Sequence, residues 1–255
     1  MTGLVPLAEM GTQGLWLGLL VLLRVGAALF ALPGLGESWV PARLRLVLAL
    51  LLSAAILPAV TATLPTGSPT LALLLRALAT ETVAGLFLGV MLRLFVFALQ
   101  TAGTIAAQAT SLSQLLGTAA ADPMPALGHV LSVAALALLM ATGFHVKAAG
   151  YLILSYDILP PLALPNPAIL AQVSRAEVSR AFALAFSLAA PFVILSALYN
   201  LTLGFINKAM PQLMVAFVGA PVITFGAVAL MALVAPTLLA VWLAQVDHFL
   251  SAPFR

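Results

Sequence analysis

The feature that most constrains this chain is a succession of apolar stretches, each about as long as a bilayer is thick. They run Gly14–Leu32, Leu44–Leu64, Leu71–Leu99, Val130–Leu154, Ala181–Ile206 and Leu213–Val246. A helix needs about 20 mostly apolar residues to cross the hydrocarbon core. Turn formers separate the stretches: Pro33-Gly34-Leu35-Gly36, then Pro58 with Leu64-Pro65-Thr66-Gly67-Ser68-Pro69, then Pro160-Pro161 through Pro165-Asn166-Pro167. Leu and Ala dilute Val, Ile and Thr throughout, which favours helix over the alternating strands of a membrane barrel. The expectation is an all-α integral membrane protein of about six apolar helical segments, several of them broken by Pro or Gly.

Composition excludes the alternatives. Charged residues make up 7% of the chain, against roughly 25% in soluble domains. A disordered chain would need low hydrophobicity. The net charge is only +3 and the basic residues are scattered, so no stripe tracks a nucleic-acid backbone. Cys is absent, which removes thiolate metal sites and cysteine nucleophiles. His129, His145 and His248 are far apart, and no HExxH, GxSxG or Walker A pattern occurs. No catalytic site, metal site or cofactor is expected. Gly14–Leu32 reads as a retained helix rather than a cleavable leader, because no positive charge precedes it.

Breaks and charges inside the apolar runs carry the remaining information. Pro191, Pro211, Pro221 and Pro236 punctuate the last third, and Gly219-Ala220-Pro221 is expected to interrupt the final run. Arg24, Arg76, Glu81, Arg93 and Lys147 lie in or beside the spans, where a charge normally faces protein or water. Arg76 and Lys147 are long enough to reach an interface; Glu81 is short and calls for an Arg partner, in this chain or in a neighbour. With six spans, Arg43, Arg45 and Lys208 fall on one membrane face and Arg175, Arg180 and Arg255 on the other. That near-balance gives no clear orientation, as expected when protein rather than lipid covers part of the apolar surface. Gly14-xxx-Gly18 and Gly85-xxx-Gly89 match the spacing that lets helices approach closely. Thr101–Gly128 is too polar for a span and too apolar for an ordinary loop, so it either lines a cavity or packs as a re-entrant loop.

The order of motifs resembles the FliR proteins of the flagellar export gate and their virulence type III secretion counterparts. Val40-Pro-Ala-Arg43-Leu-Arg45-Leu and Leu57-Pro58 come first. Gly85-xxx-Gly89, Phe97-Ala-Leu-Gln-Thr-Ala-Gly103 and Gln108 follow. Asp122-Pro123, Gly143-Phe-His145 and Leu154-Ser155-Tyr156 come next, before Asn200-Leu-Thr-Leu-Gly204, Met210-Pro211-Gln212-Leu213 and Val218-Gly219-Ala-Pro221. The chain departs from the pattern at Thr104, Ser111, Phe144 and Met214, where family members commonly carry an acidic residue, Gly, Gly and Asn. Val-Gly-Ala-Pro leans toward the flagellar branch.

The resemblance implies a noncatalytic subunit of a pore in the bacterial inner membrane, in the flagellar basal body. It would assemble with FliP-like, FliQ-like and FlhB-like subunits and pass unfolded flagellar proteins. Residues 1–255 would form one export-gate domain, with halves of roughly 1–125 and 126–255 resembling the FliP and FliQ folds as helical hairpins. The seal would comprise Gln108, Ser111, Leu112, Ser113, Gln114, Leu115, Leu116 and Gly117. Assembly would use Arg43, Arg45, Glu81, Gly85, Gly89, Asn200, Gly204, Pro211, Gln212, Gly219 and Pro221. The competing readings are a virulence secretion subunit, a small-solute transporter, for which inverted repeats are missing, and an intramembrane enzyme.

Overall fold

The computed structural model describes residues 4–65, 70–110, 126–210 and 215–253. Among the described residues seven α-helices follow one another: α1 (Leu4–Ala31), α2 (Ala42–Val60), α3 (Leu71–Ala109), α4 (Ala126–Ala141), α5 (Phe144–Ile158), α6 (Pro167–Ala209) and α7 (Val215–Ser251). A short 3-10 turn, Thr61–Thr63, ends α2, and no strand occurs among the described residues. Five of these helices are long and apolar enough to cross a membrane, and α4 with α5 makes a bent sixth candidate. The chain is an all-α membrane protein.

Local sequence sets the helix ends. The Thr70 hydroxyl accepts from the Leu73 amide at the start of α3, and Asn166 Oδ1 accepts from the Ala168 amide at the start of α6. Both are N-terminal caps, and Pro167 occupies the first helical position, where its missing donor costs nothing. The stretch expected as one run from Val130 to Leu154 is two helices, bent by 77° between α4 and α5. Gly143, at φ +76, makes the corner, a conformation available to Gly without a Cβ penalty.

Two expected breaks are absent. α3 continues past Leu99 to Ala109, taking in the first part of the Thr101–Gly128 segment. Its hydroxyls explain why: Thr104 and Thr110 donate to the carbonyls of Gln100 and Ala106, four residues back. A Thr that satisfies itself on its own helix adds little polarity to an apolar rod. α7 likewise runs helical through Gly219-Ala220-Pro221 and through Pro236. Pro removes one backbone bond but does not end a helix whose apolar surroundings offer the backbone no water to turn to.

The chain divides into two compact units, each discontinuous in sequence. The first comprises 1–94, 139–177 and 247–255; the second comprises 95–138 and 178–246. In the first, α1 packs on α2 and α2 on α5. Its core includes Leu20, Leu29, Ile56, Leu88, Phe144 and Leu152. In the second, Ala185, Leu188, Ala189 and Phe192 recur at helical spacing on α6, and Ile223, Ala227, Met231, Leu238, Trp242 and Val246 form one face of α7. Trp242 donates its indole N–H to the Phe95 carbonyl at 2.8 Å.

Candidate functional site

The most concentrated polar chemistry lies in the first unit, around a fully buried ion pair. Arg24 Nε on α1 meets Glu81 Oε2 on α3 at 2.7 Å, with side-chain exposures of 1% and 0%. Removing two charges from water is expensive, so the pair persists only where further hydrogen bonds satisfy both ends. They do. Arg24 Nη1 donates to the carbonyl and hydroxyl of Ser155 on α5, at 3.3 and 3.4 Å, and its guanidinium lies 3.9 Å from the centre of the Tyr156 ring. Glu81 Oε1 accepts from the Leu162 amide at 2.8 Å and from the Thr80 hydroxyl at 3.5 Å.

Leu162 follows Pro160-Pro161 in the loop between α5 and α6. Among the described residues it is the non-glycine one at positive φ, +60, a left-handed conformation that costs roughly 1–2 kcal/mol. Its amide is held by Glu81 and its carbonyl accepts from Arg76 Nε at 2.7 Å. Two side chains of α3 thus clamp both polar groups of the strained residue. The cluster ties α1, α3, α5 and the loop after α5 together.

Glycines make the close approach possible. A Cβ on Gly85 would land on the Arg24 carbonyl, and one on Gly89 on the Ala28 carbonyl. The Gly85-xxx-Gly89 pair therefore lets the α3 backbone lie against α1 one turn beyond the ion pair. Among the described residues nothing stands within 4 Å of a Cβ at Gly14 or Gly18, so the other matching pair makes no close helix approach there. In the second unit a Cβ on Gly103 would overlap the Gly128 backbone, which brings α3 against α4.

The remaining candidate residues are dispersed. Arg43 is exposed; Arg45 donates to the carbonyls of Val40 and Glu37, both at 3.1 Å. Arg93 pairs with Glu37 at 3.4 Å and Lys147 with Asp247 at 2.7 Å. Asn200 is exposed and donates to the Ser196 hydroxyl on its own helix at 3.2 Å. Gly204 is exposed with open space beside it, and Gln108 is exposed in the last turn of α3. Ser111, Leu112, Ser113, Gln114, Leu115, Leu116 and Gly117, together with Pro211 and Gln212, lie outside the described residues, and Gly219 and Pro221 are described only as helical backbone.

Ser155, Tyr156, Leu162 and Asp247 are the polar partners that spacing does not reveal. Arg24 reaches Ser155 across 131 positions and Glu81 reaches Leu162 across 81. The available signal is a short carboxylate in an apolar run, which demands a cation but does not say which one. Among the described residues no three His, Asp or Glu side chains are grouped to hold a metal ion.

Comparison with known proteins turns this helical arrangement into an assignment. Residues 15–249 match the model for bacterial export proteins, family 1. The flagellar biosynthetic protein FliR of Caulobacter vibrioides is 35% identical over 227 residues, which is 88% of this chain and 90% of that protein. The chain belongs to the FliR family. The flagellar biosynthetic protein FliR of Escherichia coli is 30% identical over 227 residues, covering 87% of this chain and 85% of the relative. The matched region of the FliR family includes Arg24, Glu81, the paired glycines of α3 and Leu162.

Proposed function

We propose that this chain is a noncatalytic subunit of the flagellar protein export apparatus, embedded in the bacterial inner membrane beside FliP-like, FliQ-like and FlhB-like subunits. The observation that carries the reading, beside family membership, is α7. It has 37 residues, is uncharged until Asp247, and has 22% of its most apolar window buried by the rest of the chain. At 1.5 Å per residue it is about 55 Å long. Tilted by 40°, the upper end of the usual range, it still covers about 42 Å of depth against a hydrocarbon core of about 30 Å. Val222, Phe225, Val228, Leu233 and Val241 are exposed along it. Lipid covers part of such a face, and neighbouring protein accounts for the rest.

The finer reading concerns closure. A pore wide enough for an unfolded chain leaks ions at rest unless a dry stopper fills it, and apolar constrictions close pores by dewetting. Leu112, Leu115 and Leu116 supply apolar bulk between Gln108 and Gly117, in a stretch with no charge between Arg93 and Asp122. We assign the seal to this segment.

Removing the gene should abolish export of hook and filament proteins while leaving them in the cytoplasm, and a copy of the chain should restore it. Continued filament export would refute the reading. A chain lacking residues 111–117 should accumulate and assemble but make the membrane leak small ions; normal assembly without added conductance would place the seal elsewhere.

A further inference from the structure

We propose that the loop between α5 and α6 is a sprung clasp, closed in this structure, that opens by one backbone flip at Leu162 while the core of the first unit stays folded. Leu162 holds a left-handed conformation, φ +60, which its Cβ disfavours. No helix or strand imposes it. The Leu162 amide donates to Glu81 Oε1 at 2.8 Å and its carbonyl accepts from Arg76 Nε at 2.7 Å, so two side chains of α3 hold the residue by both polar groups. Backbone strain persists only where surrounding groups over-determine it.

The sequence confines the motion to that point. The loop runs from Leu159 to Asn166 and carries Pro160, Pro161 and Pro165, with Pro167 opening α6. Proline fixes its own φ, and the residue before a proline is kept out of the helical region. Leu162 and Ala163 are the loop residues that neither rule restrains. Release from α3 therefore returns Leu162 to negative φ as a discrete step rather than as diffuse flexing, and it redirects the chain that enters α6.

The two oxygens of Glu81 divide the work. Oε2 meets Arg24 and Oε1 meets the loop. Opening the clasp takes one donor from Oε1, which keeps the Thr80 hydroxyl, and it leaves the Arg24 pair and the Arg24 bonds to Ser155 in place. Glu81 is fully buried whereas Arg76 is exposed. Arg76 is thus the half of the clasp that can let go without disturbing the core.

The prolines also make the clasp readable. They have no amide, so the exchangeable backbone hydrogens between 160 and 167 are those of Leu162, Ala163, Leu164 and Asn166. Of these, the Leu162 amide is bonded to Glu81 and the Ala163 amide to the Pro160 carbonyl. The test is hydrogen–deuterium exchange read by mass spectrometry on the full chain, together with the subunits that accompany it from native membranes. Arg76→Met keeps the apolar stem and removes the donor. The two bonded amides should then exchange about tenfold faster, with exchange in α5 and in α3 around Glu81 unchanged. Leu162→Gly removes the strain at a smaller cost in entropy. It should slow loop exchange about threefold, after correction for the intrinsic rate of glycine. Unchanged loop exchange in Arg76→Met would overturn the proposal, because Arg76 would not be holding the loop. So would acceleration that spreads into α3 and α5, which would mean that loop and core open as one. Exchange in Leu162→Gly no slower than in the wild type would show that the clasp is not sprung.

Discussion

The two compact units of this chain solve the membrane problem in opposite ways. The first brings a charge from α1 and one from α3 into its core and surrounds them with Ser155, Tyr156, Thr80 and the Leu162 backbone. The second keeps a mainly apolar seam between α6 and α7 and leaves Phe182, Phe186, Ile194, Leu198, Phe205, Phe225 and Leu233 outside. In their most apolar windows α1 and α3 have 44% and 50% of residues buried, against 28% in α6 and 22% in α7; α2, in the first unit, is as open as α7 at 22%. The difference teaches where each unit finds its partners. The first pairs its buried charges within the chain, although the buried Ser53 and Tyr156 hydroxyls have no hydrogen-bond partner among the described residues, whereas the second presents long exposed apolar faces on α6 and α7.

The contrast predicts that damage in the first unit destroys the chain itself. Glu81→Ala leaves Arg24 buried without its counter-ion and the Leu162 amide without its acceptor. Breaking a buried pair from one side costs about 3–5 kcal/mol. Accumulation of the protein in membranes should fall to a small fraction of wild type. Replacing both partners, Arg24→Met with Glu81→Leu, should recover most of it, because apolar residues of similar volume need no compensation. If the single variant accumulates normally, the ion pair does not organise the first unit.

A smaller effect separates the two glycine pairs. Gly85→Leu drives a side chain into the Arg24 carbonyl, an overpacking worth about 1–3 kcal/mol. Gly14→Leu enters open space and should leave thermal stability in detergent unchanged. Equal losses from both would break the argument that α3 and α1 meet through Gly85 and Gly89.

In the second unit the expected loss is of assembly rather than folding. Gly204→Leu adds bulk to an exposed stretch of α6 where nothing lies within 4 Å. Monomer accumulation should hold while the yield of the complex drops. Unchanged complex yield would show that this face of α6 meets lipid. The smallest effect belongs to Lys147→Gln, since an ion pair this exposed contributes about 0–1 kcal/mol. A melting temperature shift beyond a few degrees would mean the pair supports more than its own contact.

Much of this was legible in the sequence, for physical reasons. Bilayer thickness sets a length scale that apolar runs reveal directly: Gly14–Leu32 and Leu44–Leu64 each overrun α1 and α2 with its 3-10 turn by a single residue, and Ala181–Ile206 lies within α6. Continuations were harder. The Thr residues of 101–110 look polar in a list of residues, yet they bond to their own helix and leave it apolar. Pro221 and Pro236 look like stops, but an apolar helix carries them. The bend at Gly143 is hidden because one glycine in an apolar run has the same composition whether it turns the chain or not. The closed polar network was out of reach, since its members are 57 to 131 positions apart and only three-dimensional packing selects them.

The central claim is that the exposed apolar face of α7 is completed by protein. The chain has no cysteine, so a single one can be introduced without a background. Leu233, 78% exposed, is the position to use. Membranes carrying Leu233→Cys, labelled with a short photoactivatable cross-linker and extracted in mild detergent, should give a covalent adduct to another export subunit. The chain should elute with FliP-like and FliQ-like partners. Labelling of lipid alone, together with elution as a monodisperse monomer, would contradict the account.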